Sequence, residues 1–299
     1  MEYRFIVNSK AAAGKSVRIF EKIRPSLDSL GLNYEVHSPA SKEELTELVR
    51  NHNNENTALI SVGGDGTANT ILNAVYPEVN FTFGIIPAGS GNDAVKNNGI
   101  PKNPEAAVKA VAAGKTKEID LGEIEIINET GLNRKYCFIN SFGCGFDAFV
   151  ANLNNKSRIL PGLAGYLLSV FRSLRHYEAF NLISNYDNDS INGRTLLLAI
   201  GNGKYSGGGF LLTPGAINND GELEVCHIQD IPVSKILTSL PKALTGSHIK
   251  LPEVRVLKSK RGELLFSEPV FYQIDGECNE VMVSKIMFKV SDKKLKIIT

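Results

Sequence analysis

The glycine-rich segment 63–67 (GGDGT) limits the fold more than any other part of this sequence, because it lies between a predicted strand and a predicted helix. Residues 58–62 before it form an apolar run, as expected of a strand that is covered on both faces. Residues 67–75 after it predict a helix. Three glycines allow a sharp turn that presents N–H groups to an anion, and the N-terminus of the helix adds the positive end of its dipole. The pattern predicts either an anion-binding turn or an ordinary glycine-rich connection between strand and helix.

The segment 87–93 (PAGSGND) repeats this arrangement one unit later, after a predicted strand at 81–86. Glycines and a hydroxyl again follow the carboxyl end of a strand, which is the edge where open α/β sheets bind ligands. An aspartate at such a turn would by itself repel a phosphate. We therefore interpret Asp65 as a ligand of Mg²⁺ or of a metal-bound water.

Strand and helix signals alternate through the first 120 residues, and this alternation predicts a parallel sheet with helices on both faces. Ser41 begins a predicted helix, and Glu44 three residues later completes a capping-box pattern. The other predicted strands are 3–8 and 33–37, and the other predicted helices are 16–30 and 104–113.

Strand signals dominate after Asp120, so the sequence predicts two domains. Residues 1–121 are expected to form an α/β domain, and residues 122–299 a mainly β, sandwich- or barrel-like domain. Helices are expected there only at 164–177 and 234–244. The predicted strands are 122–127, 135–141, 195–201, 223–228, 253–258, 270–274 and 286–298.

Composition excludes several classes of protein. The 33 Lys and Arg residues balance 32 Asp and Glu residues, so nothing predicts nucleic-acid binding. The four cysteines form no CxxC pair and are expected to be reduced thiols of a cytoplasmic protein. No apolar run approaches the roughly 20 residues that a membrane-spanning helix needs. If the substrate is a lipid, the protein is expected to contact the membrane surface transiently.

The two glycine-rich segments together resemble the catalytic domain of the diacylglycerol kinase family, in its small bacterial lipid-kinase branch. The resemblance extends to 8–15 (NSKAAAGK), 201–209 (GNGKYSGGG), 220–223 (DGEL) and 275–277 (DGE). The chain departs from the family pattern at four positions. Ser9 replaces a proline, Ala12 a glycine, Thr70 a glutamate and Ser90 a common threonine.

This resemblance implies an ATP- and Mg²⁺-dependent kinase that phosphorylates the hydroxyl of diacylglycerol or a related lipid, with ATP in a cleft between the domains. The residues implied to contact ATP are Asn8, Ser9, Lys10, Ala11, Ala12, Ser38, Gly63, Gly64, Asp65, Gly66, Thr67, Ala68, Asn69 and Ser90. Ser38 is equally well explained as a turn residue.

The resemblance also implies roles for the acidic residues. Glu277 would be the general base, and Asp275 would orient the lipid hydroxyl or act through the metal. In an extended segment these two side chains would share one face. By itself, DGE is better explained as a type I′ or similar β-turn with solvated acids, and only the other motifs favour the catalytic role.

Two metal sites follow from the same resemblance. Asp93 would join Asp65 at the magnesium near the phosphates. Asp220 would hold a structural Mg²⁺ with the backbone carbonyls of Ile217 and Glu222, although its Asn-Asn-Asp-Gly loop also suits a plain turn.

Other interpretations stay open on the sequence. NAD kinases share GGDGT, sphingosine and ceramide kinases share PAGSGN, and a protein that binds nucleotide or lipid without catalysis would also fit. Segment 158–177 is either an interfacial helix or a core-facing helix with solvated basic residues. An exposed strand edge in the second domain could pair two copies as a homodimer.

Overall fold

The computed structural model describes residues 1–9, 14–127, 133–157, 170, 172–174, 177, 179–268, 270–279, 283 and 285–299, without the side chains of 154–157 and 279. The chain forms two compact units. Unit 1 comprises Met1–Ile119 together with Asp292–Thr299, and unit 2 comprises Asp120–Ser291. The predicted helix 164–177 lies largely outside the described residues.

Unit 1 contains a six-stranded sheet in the order β2-β1-β3-β4-β17-β5, parallel except for β5 against β17. Its strands are β1 (Glu2–Val7), β2 (Tyr34–His37), β3 (Thr57–Gly63), β4 (Thr82–Pro87), β5 (Thr116–Ile119) and β17 (Leu295–Ile298). Its helices are α1 (Lys15–Ser29), α2 (Lys42–Asn51), α3 (Asp65–Asn73), α4 (Asp93–Asn98) and α5 (Pro104–Ala113). The predicted α/β domain with a parallel sheet is thereby confirmed.

Local sequence signals account for much of this unit. Every residue of β3 and β4 is buried, as their apolar runs predict for central parallel strands. The capping box of α2 forms: Ser41 Oγ accepts the N–H of Glu44 at 3.1 Å, and Glu44 Oε2 accepts the N–H of Ala40 at 2.7 Å. The bond from the Glu44 side chain therefore goes to Ala40, the residue before the N-cap Ser41, and not to the N-cap itself.

Unit 2 is mainly antiparallel β structure, as predicted. Nine of its strands follow the order β15-β14-β8-β10-β9-β13-β16-β6-β7, and β11 pairs with β10 and β12. The strands are β6 (Gly122–Ile127), β7 (Asn133–Phe138), β8 (Ser141–Gly145), β9 (Phe180–Tyr186), β10 (Ser190–Gly201), β11 (Leu223–Gln229), β12 (Val254–Ser259), β13 (Arg261–Phe266), β14 (Tyr272–Ile274), β15 (Glu277–Asn279) and β16 (Lys285–Val290). Helices α6 (Phe146–Ser157) and α7 (Val233–Thr245) and a short 3-10 helix at Ser247–Lys250 complete its described elements. No helix in the described part of the chain is long and apolar enough to cross a membrane.

Two predicted strands divide in the structure. Segment 135–141 is interrupted at Ile139 and Asn140, whose N–H groups bond to the carboxylate of Asp275 instead of a neighbouring strand. Segment 286–298 separates into β16 in unit 2 and β17 in unit 1, so the C-terminal residues rejoin the parallel sheet. Helices α4 and α6 and strands β5, β9, β13 and β15 were not predicted.

Candidate active site

The four parallel strands β2, β1, β3 and β4 are neighbours, so their carboxyl ends meet at one edge of the unit 1 sheet. The residues that follow them are Ser38 after β2, Asn8 after β1, Gly64 after β3 and the segment 88–92 after β4. This edge therefore collects the described residues that the sequence assigned to ATP. Lys10, Ala11 and Ala12 lie outside the described residues.

The two glycine-rich turns are in direct backbone contact at this edge. A Cβ added to Gly89 would lie 2.5 Å from the Cα of Gly64, and one added to Gly64 would lie 3.0 Å from the Cα of Gly89. The N–H of Ala88 donates to the carbonyl of Gly63 at 2.9 Å. Side chains at either glycine would force the turns apart, which explains why glycine is required at both positions.

Asp65 connects the same two turns through its side chain. It is the first residue of α3, and its carboxylate accepts the N–H groups of Asp93 at 3.1 Å and Ala94 at 2.8 Å. These N–H groups belong to the first turn of α4, where a helix needs external acceptors. The pair Asn92-Asp93 after the glycines is a weak signal for this helix start, and helix α4 was missed.

The two acids predicted for magnesium have different surroundings. Asp93 is 4% exposed, and its carboxylate bonds to Lys96 Nζ at 2.8 Å. Asp65 is partly exposed. A carboxylate has about four acceptor positions, so one can take several partners at once. The chemistry of this carboxylate suits a magnesium ion or a metal-bound water.

The neighbouring polar residues are fixed by bonds within unit 1. Asn8 Nδ2 donates to Thr67 Oγ1 at 3.1 Å, which ties the end of β1 to the GGDGT turn. Thr70 Oγ1 donates to the carbonyl of Gly66 at 2.9 Å, so this departure from the family pattern bonds along its own helix. Ser38 and Ser90 are exposed.

In unit 2, the DGE segment is a tight hairpin turn and not the extended segment considered above. Asp275 has φ of 50° and Gly276 has φ of 86°, and Ile274 pairs with Glu277 across the turn. Positive φ at both central residues is the pattern of a type I′ turn. The side chains of Asp275 and Glu277 therefore do not share a strand face.

Asp275 is anchored by the backbone that precedes β8. Its Oδ2 accepts the N–H of Ile139 at 2.9 Å, and its Oδ1 accepts those of Asn140 and Ser141 at 2.8 and 3.0 Å. The residue is buried, and its own N–H donates to the carbonyl of Ser141 at 2.9 Å. These contacts give Asp275 a structural role in holding the turn.

Glu277 differs from Asp275 in being exposed, at the first position of β15. No hydrogen bond or ion pair joins its carboxylate to any residue in the described part of the chain. Of the two acids in the turn, Glu277 is the one whose carboxylate is available to a substrate.

The loop around Asp220 contains a lysine where the sequence predicted a metal. Lys258 Nζ bonds to the carboxylate of Asp220 and lies 3.6 Å from that of Glu222. The carbonyl of Ile217 accepts the N–H of Asp220 at 3.4 Å. Nowhere in the described ranges do three or more His, Cys, Asp or Glu side chains converge as metal ligands. The residues at Asp220 thus do not fit a metal unless the lysine is displaced.

Two family models match this chain. The diacylglycerol kinase catalytic domain matches residues 2–124, and the YegS C-terminal NAD kinase beta sandwich-like domain matches residues 140–299. The chain is 32% identical to a diacylglycerol kinase of Mycobacterium tuberculosis over 68% of its own length, a region that spans 65% of that relative. It is also 32% identical to a probable lipid kinase YegS of Salmonella gallinarum, over 73% of this chain and 71% of that one.

Solved structures show the same fold. A putative diacylglycerol kinase from Bacillus anthracis str. Sterne aligns with a TM-score of 0.78 and 22% identity, covering 99% of this chain and 96% of that one. An NAD kinase from Archaeoglobus fulgidus in complex with ATP aligns with a TM-score of 0.52 and 12% identity, covering 100% and 94%. At these identities the likeness concerns the fold alone.

Proposed function

The chain belongs to the family defined by the diacylglycerol kinase catalytic domain and the YegS-type C-terminal domain, and from that membership we propose that it is an ATP- and Mg²⁺-dependent lipid kinase. It transfers the γ-phosphoryl group of ATP to a hydroxyl of diacylglycerol or a related lipid. The observation that carries the proposal is the pair of glycine-rich turns joined by Asp65 at the carboxyl edge of a parallel sheet.

Phosphate binding is assigned to unit 1. The GGDGT turn ends at the N-terminus of α3, where no side chain caps the helix, so the helix dipole favours an anion there. The contact between Gly64 and Gly89 leaves this backbone without side chains, which lets phosphates approach closely. Phosphoryl transfer depends mainly on such positioning and on charge stabilisation.

Asp65 would hold the magnesium ion, which would supply positive charge to the phosphates. The second carboxylate considered for this ion, Asp93, is buried against Lys96 and supports the start of α4. Asp65 therefore has two functions in the proposal. It holds the second glycine-rich turn in register with the first, and it presents a carboxylate toward the metal.

Proton transfer is assigned to Glu277 in unit 2. The exposed carboxylate of Glu277 accepts the proton of the lipid hydroxyl as the hydroxyl oxygen attacks the γ-phosphorus. The bond from the γ-phosphorus to the bridging oxygen breaks, and ADP leaves. Asp275 keeps the turn in place through its three backbone bonds. Contact with the membrane surface is transient in this proposal, since the substrate is a lipid and the described helices include none that spans a bilayer.

Incubation with Mg-ATP labelled at the γ-phosphate tests the proposal. The acceptor panel contains diacylglycerol, monoacylglycerol, phosphatidylglycerol, sphingosine and NAD, and the Glu277→Gln variant serves as the matched control. We expect label in a glycerolipid product with the wild-type chain and far less with the variant. Label in NAD would identify a dinucleotide kinase, label in sphingosine the sphingosine-type alternative, and ATP binding without any product a binding protein.

A further inference from the structure

The turn that carries Glu277 rests on a buried glutamine. Gln273 in β14 is 3% exposed, and its Oε1 accepts the N–H of Gly276 at 2.7 Å. Its Nε2 donates to Oδ2 of Asp147 at 3.2 Å. A buried amide is costly unless both ends are bonded. Here one end holds the centre of the turn and the other end holds a carboxyl group of α6.

The neighbouring strand leaves space for this pair. Gly143 in β8 lies opposite Gln273 in the antiparallel ladder. A Cβ added to Gly143 would lie 1.9 Å from Oδ2 of Asp147 and 2.7 Å from Nε2 of Gln273. Any side chain at position 143 would displace both groups, so the glycine makes room for the hydrogen bond between them.

Asp147 is itself deeply buried, at 6% exposure, in the first turn of α6. It lines a cavity whose other walls include the apolar side chains of Phe146, Val170 and Leu197. Burial raises the pKa of Asp147 to about 7, against the opposing effect of the hydrogen bond from Gln273. Its Oδ1 has no hydrogen-bond partner in the described part of the chain. The hydrogen bond of this carboxyl to Gln273 thus points to a role as acceptor for the glutamine amide.

The direction of each bond follows from its partners. The N–H of Gly276 is a donor, so Gln273 must present its carbonyl oxygen to the turn. Its amide nitrogen then needs an acceptor, which Oδ2 of Asp147 supplies. Replacing Asp147 with an aliphatic residue would leave that amide unsatisfied and free to rotate.

We propose that Gln273, oriented by Asp147, is a positioning residue that fixes the Asp275-Gly276 turn and thereby the place of the Glu277 carboxylate. This inference rests on the proposed function of Glu277. Asp275 holds the turn from the side of β8, and Gln273 holds it from β14, so the two anchors restrain both of its central residues.

Kinetics of three variants test this role. Gln273→Met keeps the length of the side chain but lacks both bonds, and we expect kcat for lipid phosphorylation to fall by roughly ten- to a hundredfold, as for a catalytic group displaced by about 1 Å. The KM for ATP should not change. Asp147→Leu should have the same effect. Asp147→Asn retains an acceptor oxygen for Gln273, so its kcat should stay within about threefold of wild type.

A buried residue elsewhere in the same sheet provides the control. Thr195 in β10 is fully buried, and its Oγ1 bonds to Nε2 of His227. Thr195→Val removes a buried hydrogen bond that involves neither Gln273 nor Asp147, so it should lower stability without lowering kcat. If kcat falls as far in Asp147→Asn as in Asp147→Leu, the Asp147 carboxyl group takes part in proton transfer with the substrate, and the positioning role is wrong.

Amide hydrogen exchange gives a measurement that needs no substrate. In the purified chain without ATP or lipid, exchange at Gly276 should be roughly tenfold faster in Gln273→Met than in wild type, and close to wild type in Asp147→Asn. If Gln273→Met does not fold, Asp147→Leu breaks the same connection from its other end. Unchanged protection of Gly276 would overturn the inference. If exchange responds as expected but the wild-type chain phosphorylates no acceptor, the positioning of the turn stands and the proposed function fails.

Discussion

The carboxylate of Asp65 accepts the N–H of Ala94 at 2.8 Å, which joins the first glycine-rich turn to the helix that begins in the second. The two residues are 29 positions apart in the chain. Asp65 thus helps to hold together the two glycine-rich turns at the carboxyl edge of the unit 1 sheet, and it is also a candidate metal ligand. This double role changes what its replacement should do.

Asp65→Asn should reduce turnover by roughly 10²–10³-fold, because a neutral amide no longer attracts the metal or stabilises transferred charge. It should also lower the melting temperature. Each carboxylate oxygen of Asp65 accepts one N–H group, from Asp93 and from Ala94, whereas the amide of asparagine has only one acceptor oxygen. The measurement is kcat at saturating Mg-ATP together with thermal unfolding. Glu21→Gln, an exposed acid of α1, is the control. Turnover within threefold of wild type would leave Asp65 as a turn residue only.

Glu277→Gln should lower kcat by roughly 10²–10⁴-fold while ATP affinity and melting temperature stay the same, because an exposed general base is lost without any structural bond. Asp275→Asn should instead destabilise the fold, by roughly 1–3 kcal/mol, through its bonds to Ile139, Asn140 and Ser141. Steady-state kinetics, ATP titration and thermal unfolding of both variants separate these effects.

The opposite pattern would exchange the two roles. If Glu277→Gln remains active while Asp275→Asn is inactive with normal stability and ATP affinity, Asp275 is the base. If both variants remain active, the turn is a surface feature and the proposed mechanism is wrong.

Asp220→Ala should change stability by no more than about 1 kcal/mol, because Asp220 and Lys258 form a partly exposed ion pair. EDTA should leave the melting temperature of the wild-type chain unchanged, since the lysine already neutralises this carboxylate. Lys258→Met is the matched control and should resemble Asp220→Ala. A melting temperature that EDTA lowers in wild type but not in Asp220→Ala would instead establish a structural metal at this loop.

The stability of the chain should decrease with rising pH because of Asp147. Its pKa is raised from 3.8 to about 7 in the folded state. Between these values the folded protein keeps a proton that the unfolded chain has lost, so the free energy of unfolding falls as pH rises and levels off above about 7. Asp147→Asn should lack this slope. Denaturant unfolding at several pH values should show the two curves diverging by up to about 4 kcal/mol; parallel curves would contradict a buried, proton-holding Asp147.

Elements with strong local patterns could be predicted from the sequence. The apolar runs of β3 and β4, the capping box at Ser41 and the glycines after each strand indicated the parallel sheet and its binding edge. Strand β9 was missed because Asn181, Ser184 and Asn185 have little intrinsic preference for strands. In the structure Ser184 lies on the buried face of β9, and the two asparagines lie on its exposed face. Its pairing with β10 and β13 supplies the hydrogen bonds that fix it as a strand.

The sequence by itself determined the family and the presence of an α/β domain followed by a mainly β domain. It also determined the residues that meet at the carboxyl edge of the unit 1 sheet, because all of these depend on periodicity and on short motifs. Only the tertiary structure decided what each carboxylate does. Asp275 reaches N–H groups 134 to 136 residues away, and Asp147 and Gln273 meet across 126 residues. Sequence spacing carries no information about such distant partners, and burial together with hydrogen bonding is what separates an anchoring acid such as Asp275 from an available one such as Glu277.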